Sequence, residues 1–437
     1  MDSAARQDGK AALGPRLGTL ERHRDFLKLW TGQTVSLVGS EVTRLALPLT
    51  AIVVLKATPA QVGVLTAAGY VPFLLLTLPA GVWIDHRRRR PVLIAADLGR
   101  AALMGLVPLL AALGRLSIAS FAVIWLLVGI LTVFFELAYQ AFLPALLPRE
   151  HVVAGNSKLA ASESVAEIAG PGLGGPLVQL VTAPLALLVD ALSFLVSAVS
   201  LALITTPEPC PIQDTERPGV RREIAEGVRF VWGNRLLRAF AGEATSYNVC
   251  WQVIQTVFLL YAVRTLGFSP LPLGLVFAID SLGALLGALL TDRVARRIGV
   301  GPTILGATIL SAVTPLALPV VPAHTMATVA LLAAVLFLRG VGVTACNVHV
   351  VSLRQAITPD RLRGRMNASY RMLTYGTIPI GALLGGQLGQ HIGLRPTLLI
   401  GALGLATGWL WIAASPIPSL RRLPLAPVGD DRTPVEG

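Results

Sequence analysis

The chain has 437 residues, 54% hydrophobic and only 14% charged, with a mean hydropathy of +0.69 and a formal net charge of +12. A soluble domain needs more polar surface than this. The expectation is a chain dissolved in lipid, with room for many spans of about 20 apolar residues each across roughly 30 Å of hydrocarbon. Cys210, Cys250 and Cys346 are too scattered for a disulfide framework or a metal site, the histidines show no H-E-x-x-H spacing, and no G-x-x-x-x-G-K-[ST] phosphate loop occurs. No enzyme, cofactor, metal centre or nucleotide-driven motor is therefore expected.

Residues 1–25 carry charges throughout and read as a tail, not a cleavable signal. Twelve apolar windows follow, at roughly 28–55, 60–84, 92–113, 118–140, 158–181, 184–204, 238–263, 271–291, 302–322, 326–350, 367–390 and 396–414. Continuous runs such as "APLALLVDALSFLVSAVSLALI" favour helices over the alternating ten-residue strands of a barrel.

Charges inside these windows are the informative residues, because burying one at mid-bilayer costs on the order of 2.5–3.5 kcal/mol. Most of them must face a cavity or each other. The first window holds Glu41 and Arg44, three apart and so able to pair on one face. Glu136 lies in the fourth window, Glu163 and Glu167 in the fifth, Asp190 with Ser193 in the sixth, Asp280 in the eighth and Arg339 in the tenth. The seventh places Glu243, Tyr247, Trp251 and Gln255 at every fourth residue. That stripe suits an amphiphilic organic ligand and equally suits helix packing. Tyr247, Trp251, Gln255 and Arg339 are the substrate-cavity candidates, and Leu259 is expected to face lipid.

The chain repeats itself at an offset of 211 residues: Pro148 and Asn156 recur as Pro359 and Asn367, Gly174-Gly175 as Gly385-Gly386, and Pro59 and Gly63 as Pro270 and Gly274. A six-helix unit has been duplicated. The expected organisation is a tail to residue 25, a bundle over 26–204, a linker over 205–237, a second bundle over 238–414 and a tail from 415. In the linker, Ile224, Val228 and Val231 have the spacing of an amphipathic helix lying on the membrane face. With both termini cytoplasmic, the outward loops hold only Lys56, Arg115, Arg264 and Arg395. The positive-inside rule then fixes the topology, and the net charge reflects contact with lipid headgroups without any nucleic-acid partner.

Twelve windows, a duplicated half and the stretch "GVWIDHRRRR" resemble the major facilitator superfamily, whose loop between helices 2 and 3 carries G-x-x-x-D-R-x-G-R-R. Gly81, Asp85, Arg89 and Arg90 match this pattern, whereas His86 and Arg88 depart from it. The stretches "LPREHVVAGNS", "AEGVRFVW" and "TPDRLRGRMNASYRML" look like the drug and siderophore exporter branch that includes macrolide and enterobactin efflux proteins. This resemblance implies an all-α membrane protein of twelve transmembrane helices in two six-helix bundles related by a pseudo-two-fold axis, monomeric and in the plasma membrane. It also implies that Gly81, Asp85, Arg89 and Arg90 form an inner gate, with Asp85 as a latch to the start of the eleventh span. Gly170-Pro171-x-x-Gly174-Gly175 resembles an antiporter signature and favours export.

The implied partners are a small-molecule substrate, protons and membrane lipids, and the implied function is proton-coupled efflux of small amphiphilic molecules. A carboxylate that exchanges protons must be buried and beside a partner it can release. Glu41 is the first candidate, with Arg44 as competing cation; Glu136 and Asp280 come next. The superfamily's basic motif on the fourth helix is absent, since no Lys or Arg occurs between Arg115 and Arg149. An ion-coupled importer, or a sensor or scaffold that keeps the fold without transporting, are the alternatives.

Overall fold

A computed structural model describes residues 23–208, 220–321 and 325–422, and among them every regular element is helical. The first group of helices is α1 (Arg24–Leu49), α2 (Pro59–Asp85), α3 (Arg89–Ala112), α4 (Ile118–Leu146), α5 (Arg149–Val181) and α6 (Ala183–Ala202). After α7 (Val220–Gly233) comes a second group: α8 (Arg235–Arg264), α9 (Pro270–Ile298), α10 (Val300–Val313), α11 (Met326–Ile357), α12 (Asp360–Tyr375), α13 (Ile378–His391), α14 (Leu394–Thr407) and α15 (Trp409–Ala413). Starts are set by local chemistry. Thr58 with Gln61, and Ser117 with Ser120, form capping boxes at α2 and α4, Pro59 occupies the first turn of α2, and the Asn234 side chain caps α8.

Each apolar window falls on helix, yet several are interrupted. The window at 302–322 runs as α10 and then a 3₁₀ segment, Thr314–Val320, that contains Pro315 and Pro319. That at 367–390 breaks at Gly376 and Thr377, and the last one breaks at Gly408. Among the described residues nine helices are long and apolar enough to cross a membrane. Both α5 and α8 have the length but less apolar character, α5 through Glu150, Glu163 and Glu167 and α8 through Asn248, Gln252, Gln255 and its arginines. Leu75, Leu180, Leu192 and Leu289 are among many exposed large side chains, the surface expected where lipid is the solvent.

In the first group α1 packs on α5 and α6, α2 on α4, and α3 on α4 and α6. In the second, α8 packs on α13 and α14, and α11 on α9 and α10. In the linker helix Val231 is fully buried beside Leu237, Met366 and Tyr370, so α7 packs this residue into the protein against α12. The Ile224 side chain and residues 1–22, 209–219 and 423–437, which include Cys210 and most of the expected tails, fall outside the description, while the chain is already helical from Arg24 and Ile417 beyond the last window is fully buried.

The two groups meet where α2 touches α13 and α5 touches α9. A Cβ added to Gly63 would lie 2.6 Å from the carbonyl oxygen of Ala382 and 3.0 Å from Gly386 Cα. One added to Gly274 would lie 2.6 Å from the carbonyl of Pro171 and 2.7 Å from Gly175 Cα. These are the same positions twice: Gly63, Ala382 and Gly386 differ from Gly274, Pro171 and Gly175 by the 211-residue offset of the sequence repeat. Toward the other end of α2 the packing opens. Around Gly81 nothing lies within 4 Å of an added Cβ.

Candidate functional site

A cavity of about 470 Å³ lies between the groups, walled by Ser40, Thr43 and Arg44 of α1, Tyr70 and Phe73 of α2, Trp125 and Glu136 of α4, Asp190 and Phe194 of α6, Gln252 and Gln255 of α8, and Phe277 of α9. Aromatic faces with a few polar groups make a wall suited to an amphiphilic molecule.

The charge on α1 is local in origin. Arg44 donates from Nη1 to both carboxylate oxygens of Glu41, at 3.0 and 2.9 Å. The Arg44 side chain is 67% exposed, reaching into the cavity, whereas that of Glu41 is only 13% exposed. Gly170 explains where Glu41 fits, because an added Cβ there would collide with the Glu41 side chain. Two turns of the antiporter-like stretch thus serve different contacts. Gly170 makes room for the carboxylate, Gly174 faces Val42, and Gly175 with the Pro171 carbonyl meets Gly274 across the group boundary.

Asp190 is held from three sides: Thr43 donates to it at 2.6 Å, and Ser40 and Ser193 at 3.2 Å. A neighbouring pair was not singled out in the sequence. Arg100 is bonded to Asp97, lies 4.1 Å from the ring centre of Phe135 and 4.2 Å from that of Phe194, and reaches the cavity wall. Its signal was the same spacing of three that marks Glu41 and Arg44.

The second group has its own cluster. Arg339 donates to Asp280 at 2.5 Å and to the Tyr247 hydroxyl at 3.0 Å, and its guanidinium lies 4.0 Å from the centre of the Trp251 ring. The structure therefore joins a coupling candidate, Asp280, to three cavity candidates. These four do not line the 470 Å³ cavity; of the predicted stripe, Gln255 alone does so. Leu259, expected in lipid, is 6% exposed and on the cavity wall. The reason is helical register. Gln252, Gln255, Thr256 and Leu259 stand at i, i+3, i+4 and i+7 and share one face of α8, while Tyr247 and Trp251 occupy the adjoining one.

The arginine loop is bound within its own group. Glu208 accepts from the backbone N–H groups of Arg89 and Arg90, at 2.6 and 3.2 Å, and so caps the start of α3. In return Arg90 donates to the carbonyls of Leu201 and Ala202 at the end of α6, at 2.9 and 2.5 Å. Asp25 accepts from the N–H groups of Thr205 and Thr206 beside it. The structure thus takes Arg89 to Glu208 and Arg90 to the end of α6, and around Gly81 nothing lies within 4 Å of an added Cβ. Glu208, a single acid in a proline-rich stretch, gave no sequence signal. Among the described residues no group of His, Cys, Asp and Glu is placed to hold a metal.

A family model described as transmembrane secretion effector matches residues 19–433. The chain belongs to this family of the major facilitator superfamily. The multidrug efflux pump Tap of Mycolicibacterium fortuitum is 30% identical over 370 residues, spanning 83% of this chain and 88% of Tap. Macrolide efflux protein A of Streptococcus pyogenes is 24% identical over 268 residues, 61% of this chain and 65% of that protein. The crystal structure of the nucleoside transporter NupG superposes with a TM-score of 0.71 at 12% identity, over 89% of this chain and 98% of NupG, a likeness of fold alone. The protein is thus a multi-pass membrane transporter of the superfamily fold and not an enzyme.

Proposed function

We propose that this secretion effector exports small amphiphilic organic molecules, coupling their exit to proton entry, by opening the central cavity alternately to the two sides of the membrane. The observation that carries the reading is the cavity itself: it is walled by residues of both helix groups, and Arg44, paired to the more buried Glu41, reaches into its open space. Protonation of Glu41 removes the charge that holds Arg44, and loss of the proton restores it. Efflux relatives at about 30% identity support the direction of transport.

On this reading twelve spans arise when α10 is counted with its 3₁₀ extension, α12 with α13 and α14 with α15, while α7 stays outside the hydrocarbon. The doubled glycine contact supports a pseudo-two-fold relation between bundles over 26–204 and 238–414. The distribution of basic residues supports a plasma-membrane monomer with both termini, the 205–237 linker and the Gly81–Arg90 loop on the cytoplasmic side. The glycine contacts then close the outer end, and the conformer is open inward. Asp85 belongs to the inner gate, in a loop that Arg90 holds to the end of α6 and Arg89 to Glu208.

The test uses a host stripped of its own efflux systems and exposed to a macrolide and a panel of other amphiphilic antibiotics. Expression should raise the tolerated concentration of at least one of them, and Glu41→Gln at equal membrane abundance should return it to the vector level. Protection against none of them, or full protection by the variant, contradicts the reading.

A further inference from the structure

We infer that Arg264 is the latch of the outer end, a gating residue supplied by one helix group and received by the other. The inference rests on the alternating-access reading above. At its end α1 widens into a π turn, Thr50–Val54, and the chain then reverses at Lys56, whose φ is +52°. π turns are rare and concentrate at functional sites. Within this one, Thr50 and Ala51 keep backbone partners, since their carbonyls accept from Leu55 and Ala57. The carbonyls of Ile52 and Ala57 accept instead from Nη2 of Arg264, at 3.4 and 2.8 Å. Ile52 is 3% exposed and Ala57 is fully buried.

Arg264 is the last residue of α8, so one guanidinium sits where the C-terminal ends of two helices from different groups converge. Each such end carries roughly half a negative charge. A guanidinium suits this position because it stays ionised and presents several donors in a fixed fork. Its own residue is exposed to solvent, so release exchanges two carbonyls for water and the bond is reversible. The glycine contacts nearby are van der Waals contacts without direction. Arg264 adds a polar one that forms only when α8 and α1 stand together. Arg395, another basic residue of the outward loops, provides the comparison: it donates to the Tyr261 hydroxyl at 3.1 Å, inside its own group.

The experiment measures the distance between spin labels on Leu180→Cys and Leu271→Cys, exposed positions on α5 and α9, in full-length protein with the native cysteines replaced by alanine, in lipid nanodiscs. Arg264→Ala should enlarge the long-distance population by roughly fivefold or more, the scale of one charge-assisted hydrogen bond. Arg264→Lys should fall between it and wild type, because a single ammonium does not span both carbonyls. Arg395→Ala should match wild type. A wild-type distribution in Arg264→Ala, or an equal shift in Arg395→Ala, overturns the latch alone, provided that wild type itself exchanges between two distances. A single distance in wild type at every pH and in every variant removes the alternating-access reading and the latch with it.

Discussion

Gly175→Ala places a methyl group where α5 and α9 touch, and its effect can be worked from the contact. The new Cβ would sit 2.9 Å from both Gly274 Cα and the Pro270 carbonyl oxygen. Ordinary carbon contacts lie at about 3.5–4.0 Å, so the two helices must part by about 1 Å or bend. Strain of this kind costs about 1–3 kcal/mol. It falls on the closed outer end alone, so the population should shift about 5- to 150-fold toward the arrangement open at that end. The same Leu180 and Leu271 label pair reads the shift directly, and transport should fall as the cycle stalls. Gly306→Ala is the control, since nothing lies within 4 Å of its Cβ, and it should change neither quantity. Gly81→Ala is free of contact in this conformer and should favour it, a shift of opposite sign. An unchanged distance distribution with full transport in Gly175→Ala would refute the claim that the glycine contacts are the outer closure.

Two further outcomes follow from the charged clusters. Glu208→Gln should weaken the bonds that tie the start of α3 to the linker, lowering stability in detergent by about 1–3 kcal/mol as read by thermal unfolding, while labels at the outer end stay as in wild type. Asp280→Asn leaves Arg339 buried without its carboxylate and should cost about 3–5 kcal/mol; Trp251→Ala beside it should change substrate range more than Leu331→Ala, whose side chain is exposed. Equal transport effects at Trp251 and Leu331 would reduce the cluster to packing.

What could be read from the sequence was local or periodic. The apolar windows located every long helix, because length and hydropathy act on each segment alone. Glu41 and Arg44 were legible as a pair because three residues of helix bring them together. The breaks at Gly376 and Gly408 were hidden, since apolar residues continue across both and a helix with one glycine reads like a helix without. Contacts between distant segments were hidden too. Asp280 and Arg339 stand 59 residues apart, and Glu208 meets Arg89 over 119. Leu259 shows a subtler limit: the period of α8 was visible, but which face looks inward is decided by the helices around it. The repeat is the exception, a long-range feature readable in advance, because the glycines of the two contacts, Gly63 with Gly386 and Gly274 with Gly175, recur in the sequence at one offset.

The central claim is that a proton on Glu41 drives export, and inverted membrane vesicles with an acidic interior test it most directly. Wild type should accumulate a labelled macrolide, or whichever amphiphile the susceptibility panel selects, only while the pH gradient lasts, and a protonophore should abolish the uptake. Glu41→Asp should retain the response, and Glu41→Gln should lose it while still binding the substrate. Gradient-driven accumulation by Glu41→Gln at the wild-type rate would contradict the account.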